Sequence, residues 1–287
     1  MKATAVVVEV VDAHVHFWDP GELHYPWLEG RTGLDRAFLP PAYSTAAAEI
    51  PITQVVVVEG NCRPEEARRE VEFVERLAAA EPHIAGIVAF VDLGDPNARD
   101  RSFDALASSH KVKGVRQNIQ GHSPGFCRRR AFVEGVRQVG RRGLTFDLCA
   151  THDQLPEVTG LVRECPDTRF VLDHCGKPAI RNRGGGRKPW SADVARLAAY
   201  ENVSCKLSGL LTEAAERWCE EDLVPYATKV VECFGTERVI YGSDWPVLTL
   251  AGSYRDWYGF TDRFTAGWTE AERSRFFRDN AVRIYGL

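Results

Sequence analysis

The sequence has no apolar run that approaches the roughly 20 residues a helix needs to cross a bilayer. Its start does not resemble a secretory signal, because Ala3–Val11 is interrupted by Glu9 and follows a lone lysine. The cysteines include no close pair of the kind that builds a zinc ribbon or a redox motif. We therefore expect a cytoplasmic protein with reduced thiols and no membrane partner.

A strong excess of charge of either sign is also missing. The formal net charge is −4 over 287 residues, so no basic stripe is available for a nucleic-acid backbone. We interpret the cluster Arg128–Arg130 as a solvated turn before a helix. The absence of repeats, linkers and low-complexity tracts predicts one domain over 1–287, and 44% hydrophobic content is ample for its core. The sequence leaves a homo-oligomer open.

Short runs rich in β-branched residues alternate with amphipathic helical stretches such as Pro64–Ala80. The eight runs are Val6–Val11, Thr53–Val58, Ile84–Val91, Val112–Ile119, Leu144–Leu148, Arg169–Leu172, Asn202–Leu207 and Arg238–Tyr241. This alternation over this length predicts an α/β fold with a (β/α)8 TIM barrel. A doubly wound sheet is the alternative, but the glycine-rich phosphate turn that a nucleotide fold carries after its first strand is missing.

Three segments depart from this alternation. Gly21–Ala42 is aromatic and broken by prolines, and we expect it to fold over the barrel mouth as a long first loop. Arg181–Pro189 is basic and glycine-rich, which is typical of a mobile loop after the sixth strand. Thr269 and Glu272 form a predicted capping box that opens a final helix toward Ala281.

Histidine and aspartate residues follow the first, sixth and eighth runs. His14 and His16 are one residue apart, so they share one side of a strand, and His174 and Asp244 follow later strands. Because the carboxyl ends of barrel strands meet at one mouth, we expect all four to converge there. The histidines are alternatively satisfied in the core or exposed at the surface, and Asp244 is alternatively a helix cap.

Further strand-end and loop residues are candidates for substrate binding. Arg116, Gln117 and Lys206 suit an anionic or hydroxyl-rich ligand, although each is as often part of a structural ion pair. Trp27 and Trp245 offer flat apolar walls, or alternatively core packing. Glu59 and His24 are further candidates for recognising the substrate.

Six segments carry a resemblance to a known family: Asp12–Pro20, Tyr25–Leu28, Gly114–Arg116, Phe170–Pro178, Lys206–Leu210 and Tyr241–Pro246. Together they resemble the amidohydrolase superfamily of the amidohydrolase 2 type, in the branch that contains the L-fucono- and L-rhamnono-lactonases. The similarity extends over nearly the whole chain. It implies a distorted (β/α)8 barrel and the cleavage of a cyclic ester.

The resemblance also implies roles for individual residues. His14, His16 and His174 would polarise a carbonyl or bind a metal, and Asp244 would activate water. Arg116 and Lys206 would hold the substrate.

The chain departs from the binuclear metal pattern of the wider superfamily. After the fourth strand it has Arg116 and Gln117 in place of a bridging lysine or glutamate, and near Asp147 it lacks the histidine of the fifth strand. We therefore expect no two-metal site. Either one weakly held zinc lies on His14, His16, His174 and Asp244, or no metal is required, and the sequence slightly favours the second.

The sequence thus predicts a hydrolase that opens a small lactone, a sugar-acid lactone or a related one, to the hydroxy acid. Water activated by Asp244 would attack a carbonyl polarised by the histidines. The alternatives are a sulfomuconolactone-type lactonase, a zinc-dependent decarboxylase of the same superfamily, and a non-catalytic binding protein that kept the barrel residues.

Overall fold

The computed structural model describes residues 8–182 and 187–287. Eight parallel strands form one sheet in sequential order. Their bounds are β1 Val10–Val15, β2 Ile52–Val58, β3 Ile84–Phe90, β4 Val112–Arg116, β5 Thr145–Leu148, β6 Arg169–Leu172, β7 Val203–Leu207 and β8 Val239–Tyr241. This arrangement confirms the predicted α/β class and the (β/α)8 barrel.

Helices surround the sheet and follow the strands in alternation. Their bounds are α1 Pro40–Ala46, α2 Ala67–Ala80, α3 Pro96–Leu106, α4 Arg130–Arg141, α5 Leu155–Glu164, α6 Arg187–Ala198, α7 Leu210–Glu213, α8 Glu220–Phe234, α9 Tyr254–Phe264, α10 Glu270–Ser274 and α11 Asn280–Tyr285. In α2, Val71, Val74 and Ala78 form the buried face at helical spacing. No helix in the described part of the chain is long and apolar enough to span a membrane.

The first strand was predicted too early in the chain. The expected range Val6–Val11 is replaced by Val10–Val15, and Val6 and Val7 lie outside the described residues. The strand continues through Asp12 and His14 because both polar side chains are buried and find hydrogen-bond partners inside the protein. His14 is therefore part of the strand, and His16 lies just beyond its end.

The barrel closes between β1 and the residues that follow β8. The amide of Asp244 donates to the carbonyl of His14 at 2.8 Å, and the amide of His16 donates to the carbonyl of Trp245 at 2.7 Å. Val15 forms an isolated parallel bridge with Trp245. This seam lies beyond the last regular strand, which is the distortion of the barrel that the resemblance implied.

The connecting segments follow the prediction where the structure describes them. Within Gly21–Ala42, a 3-10 turn at Pro26–Leu28 is held down by Trp27, whose indole Nε1 donates to the Gly60 carbonyl at 2.7 Å. The Thr269 capping box is present and opens α10, which leads through a π-helical turn into α11. The predicted loop Arg181–Pro189 contains residues 183–186, which lie outside the described residues, and α6 begins within it at Arg187.

Two glycines in the middle of neighbouring helices provide a test of this packing. An added Cβ at Gly135 in α4 would lie 2.6 Å from the Leu93 carbonyl oxygen, whereas at Gly160 in α5 it would meet nothing within 4 Å. We expect Gly135→Ala to lower the free energy of unfolding by about 1–3 kcal/mol through overpacking. Gly160→Ala should raise it by up to about 1 kcal/mol, because alanine favours the helix.

Urea unfolding of both variants beside the parent measures the difference. Equal effects of the two substitutions would show that α4 does not approach the Leu93 backbone as closely as described.

Candidate active site

Three imidazole nitrogens converge on one carboxylate oxygen at the carboxyl end of the barrel. The Nε2 atoms of His14, His16 and His174 lie 3.7, 3.4 and 3.8 Å from Oδ1 of Asp244. All four side chains are buried. The predicted cluster therefore forms, and it forms across three strands of the barrel.

Hydrogen bonds behind the rings orient two of the histidines. Nδ1 of His16 lies 2.8 Å from the Val58 carbonyl, which can only accept, so Nδ1 carries the proton of the neutral ring and Nε2 a lone pair. Nδ1 of His174 lies 2.9 Å from the Ser208 hydroxyl. Both rings thereby present Nε2 to Asp244.

Left-handed backbone at two turns brings these groups together. His174 has φ of 52° and Asp244 has φ of 63°, a conformation that few residues other than glycine adopt. Gly209, with φ of 66°, packs against the His174 ring, where an added Cβ would lie 2.6 Å from the ring. The His174 ring therefore occupies space that only a glycine at position 209 leaves free.

Asp12 fastens the Asp244 turn to β1, and the sequence analysis assigned it no role. Its Oδ1 accepts from the amide of Ser243 at 2.8 Å, and its Oδ2 accepts from the hydroxyls of Tyr254 at 2.8 Å and Tyr43 at 3.1 Å. Burial raises the pKa of this carboxyl. The signal for this role is weak in the sequence, because the tyrosines come from distant helices.

Lys206 lies beneath the cluster, inside the barrel, and is fully buried. Its Nζ is 2.6 Å from Asp147 Oδ2, 2.9 Å from Asp173 Oδ1 and 3.1 Å from His14 Nδ1. The predicted role of Lys206 as a substrate clamp is therefore wrong, because no face of the ammonium reaches the mouth. The structural ion pair is the correct alternative.

The contacts of Lys206 also bear on the proton of His14. The Lys206 ammonium can only donate, so its contact with Nδ1 favours a proton on Nε2. The Arg116 guanidinium can also only donate and lies 3.5 Å from Nε2, and with Asp173 Oδ1 at 3.3 Å from Nδ1 it favours the opposite tautomer. This Nε2 lies 3.1 Å from the lone pair of His16 Nε2. Burial lowers the pKa of His14 well below its usual value, and the Lys206 charge lowers it further. His14 is thus neutral at the centre of the site, with a cation against each of its ring nitrogens.

Arg116 is the second buried cation. Its Nε lies 2.6 Å from Glu59 Oε1, its Nη1 lies 3.2 Å from Asp173 Oδ2, and the same Nη1 is 3.5 Å from His14 Nε2. Glu59 is buried and engaged with Arg116 and with the amide of Asn61 at 2.6 Å, so the structure gives no support to its predicted contact with substrate. Asp173, which the sequence analysis did not single out, joins both cations to His14.

A cavity of about 480 Å³ opens above the cluster. Of the predicted site residues, it is lined by His16, Trp27, Arg116, His174 and Asp244. Its polar wall also contains Arg181, from the loop Arg181–Pro189 that we expect to help select the lactone. The other polar side chains in the wall had no predicted role, namely Arg31, Asn61, Asn118, Gln120, Lys177, Thr212 and Glu213. Most of these follow strands at turns whose direction depends on the folded backbone, so spacing alone gave no signal for them.

Three predicted substrate residues lie away from this cavity. Gln117 binds the amide of Leu93 at 2.9 Å, and Trp245 is buried in an aromatic cluster with Phe38 and others. His24 is half-exposed and lies 3.1 Å from Glu29. The structure gives no support to these three predictions, because each side chain already has a partner or lies in the core.

The electrostatics keep Asp244 charged. Burial alone would raise its pKa, but His174, His16 and His14 more than compensate and hold it well below the usual range. Burial lowers the pKa of His174 to about 4. At neutral pH the site therefore holds the ionised carboxylate of Asp244 beside the neutral imidazoles of His14 and His174.

The same residues include donors suited to one metal ion. His14, His16 and Asp244 form one group of close ligand atoms, and His14, Asp173 and His174 form a second. Asp173 is already paired with Lys206 and Arg116, so the first group, with His174 beside it, is the better candidate. Three imidazoles and a carboxylate fit zinc when each imidazole presents a lone pair on Nε2.

The sequence pattern of the family described as Amidohydrolase matches residues 11–287. The chain belongs to the amidohydrolase family. Among the relatives of this amidohydrolase is an L-fucono-1,5-lactonase of Burkholderia ambifaria, 31% identical over 96% of this chain and 95% of that protein. Another is an L-rhamnono-gamma-lactonase of Scheffersomyces stipitis, 23% identical over 62% of this chain and 60% of that protein.

A solved structure agrees with the fold over almost its full length. It is an amidohydrolase from Burkholderia multivorans with bound zinc, with a TM-score of 0.88 and 31% identity, covering 97% of this chain and 99% of that chain. The family predicted from the six sequence segments is thereby confirmed.

Removal of the Lys206 charge tests the network beneath the site. Lys206→Met would leave Asp147 and Asp173 buried with less compensating charge, and we expect the free energy of unfolding to fall by about 3–5 kcal/mol. Arg255→Met is the control, because it breaks an ion pair with Glu49 in which the two side chains are 72% and 78% exposed. It should cost less than about 1 kcal/mol.

Chemical unfolding of the two variants and the parent gives the comparison. A loss for Lys206→Met no larger than that of Arg255→Met would contradict the described network.

Proposed function

We propose that this amidohydrolase opens a small lactone to its hydroxy acid. The convergence of three imidazoles on the ionised carboxylate of Asp244, at the base of a polar cavity, carries the proposal. The lactonase names of relatives near 30% identity support it. Which lactone fits depends on the loops that line the cavity walls.

In the proposed reaction, Asp244 acts first as a general base. Its low pKa keeps it ionised, so it accepts a proton from water as the water oxygen attacks the lactone carbonyl. The carbonyl carbon becomes tetrahedral, and the bond to the ring oxygen then breaks. Protonated Asp244 returns its proton to the ring oxygen, which leaves as the hydroxyl of the product.

In the same reaction His14 stabilises the negative charge on the former carbonyl oxygen. It would donate from Nε2, in the tautomer that the Lys206 contact with Nδ1 favours. The nearby guanidinium of Arg116 adds positive potential at the same point. These charges are in place before substrate binds, so no reorganisation is needed during the reaction.

One divalent metal such as zinc would be held by His14, His16, His174 and Asp244. When bound there, it would polarise the carbonyl and lower the pKa of water. One observation favours weak binding: the buried cations Lys206 and Arg116 lie within 3.5 Å of the His14 ring and would repel a metal ion there. We therefore propose that turnover requires no tightly bound metal.

Substitution of Asp244 is the first test. Asp244→Asn should lower kcat for aldonolactone hydrolysis by about 10²–10⁴-fold, because the amide cannot accept a proton from water. A pH-indicator assay on a panel of aldonolactones and muconolactone-type substrates measures this loss. Asp104→Asn on the exposed surface of α3 is the matched control and should behave as the parent.

Thermal unfolding of both variants separates loss of chemistry from loss of fold. Parent-like rates in a folded Asp244→Asn variant would refute the assigned base.

Treatment with a strong chelator is the second test. We expect hydrolysis to continue after chelation, with less than one zinc per chain measured by elemental analysis. Activity lost on chelation and restored by zinc would instead assign an essential metal to the four residues. Failure to hydrolyse any lactone of the panel would favour the zinc-dependent decarboxylase alternative.

A further inference from the structure

Lys177 is a cation in the cavity wall for which the proposed reaction has no use. It follows His174 at the end of β6, and its own φ of 46° turns the chain there. Its amide donates to the His174 carbonyl at 2.8 Å, so the two residues belong to one turn. The side chain is half-buried and lines the same cavity as His174 and Asp244.

The Lys177 ammonium has only one hydrogen-bond acceptor in the described residues. Its Nζ donates to Oε1 of Gln120 at 2.6 Å, and Gln120 is uncharged. No carboxylate in ranges 8–182 and 187–287 lies within 4.0 Å of it, and residues 1–7 and 183–186 contain no aspartate or glutamate. Two of its three N–H bonds are therefore available to a ligand.

Lys177 differs in this respect from the two buried cations of the site. Lys206 and Arg116 each contact two carboxylates. The chain thus neutralises Lys206 and Arg116, whereas Lys177 in the cavity wall has no ion pair among the described residues. A partly desolvated ammonium of this kind gains most from an anionic ligand.

A second cation lies on the same side of the cavity. Arg181, four residues after Lys177, also lines it, and its Nη2 donates to the Thr212 carbonyl at 2.7 Å. No ion pair of Arg181 occurs among the residues that the structure describes. Glu213 lines the same cavity but forms no ion pair with either cation among the described residues.

We propose that Lys177 and Arg181 bind a carboxylate carried by the lactone, so that the preferred substrates are anionic lactones. This inference rests on the proposed lactonase function and adds the substrate class to it. Burial alone would lower the pKa of Lys177. The charges of Asp244 and Glu213, which lie beyond ion-pair distance, help to raise this pKa above its usual value, so the ammonium persists at neutral pH. The ring carbonyl would face Asp244 while the second acidic group faces Lys177.

Calorimetric binding of two open-chain acids tests the subsite without turnover. Gluconate and glucarate differ only at C6, where glucarate has a second carboxylate. We expect the parent protein to bind glucarate about 10- to 100-fold more tightly, as a charge-assisted hydrogen bond allows. The preference should fall at high salt.

Variants then assign the preference to Lys177. Lys177→Met should reduce the glucarate preference to less than about threefold, and Lys177→Arg should restore most of it. Lys188→Met, on the exposed surface of α6, should keep the parent preference. Equal affinity of the parent for both acids, or a preference that survives in Lys177→Met, would overturn the inference, and the parent measurement decides even if that variant does not fold.

Turnover separates this inference from the proposed function. In the parent, kcat/KM should be larger for glucaro-1,4-lactone than for the neutral galactono-1,4-lactone, and Lys177→Met should lower that ratio about tenfold or more. Hydrolysis of both lactones without preference would support the lactonase and overturn the anion subsite. Selective binding of glucarate without hydrolysis of either lactone would support the subsite and overturn the lactonase.

Discussion

The site depends on the way the barrel closes. The seam is made by the residues after β8, so the backbone bonds that join Asp244 to His14 and Trp245 to His16 are also the bonds that complete the sheet. Asp12 reinforces the seam from the outer side of β1. The distance between the carboxylate and the imidazoles is therefore set by the fold itself, and a change that opens the seam would disturb the barrel and the site together.

The second constraint is the balance of buried charge. Lys206 and Arg116 are buried at the site, and removing their charges from water costs free energy. Their carboxylate partners offset that cost as one connected group of ion pairs. Burial and the charge of Lys206 lower the pKa of His14 and so favour its neutral form. The positive charges of Lys206 and Arg116 oppose a further full positive charge beside His14. In the proposed reaction these side chains therefore supply part of the electrostatic stabilisation that a metal would provide.

Much of the fold and the centre of the site could be predicted from sequence, since both depend on strand periodicity and on the rule that strand ends meet at one mouth. The rule does not say whether a strand-end side chain points up into the cavity or down into the barrel, and Lys206 and Arg116 share the same kind of position with different outcomes. Polar residues that are satisfied inside the protein also conceal a strand boundary, as Asp12 and His14 did for β1. Lys177 escaped notice because its direction follows from a left-handed turn.

The residues proposed for the reaction and those proposed for substrate selection lie at different levels along the axis of the barrel. The base and the imidazoles are held by strands and by the seam, where a small displacement would cost stability as well as rate. The cations of the cavity wall, Lys177 and Arg181, come from turns beyond β6, and neither is needed to hold Asp244 in place. A turn residue can therefore change the charge that the cavity presents to a ligand without altering the pKa relations at its base. It follows that relatives with the same four central residues can act on lactones of different charge.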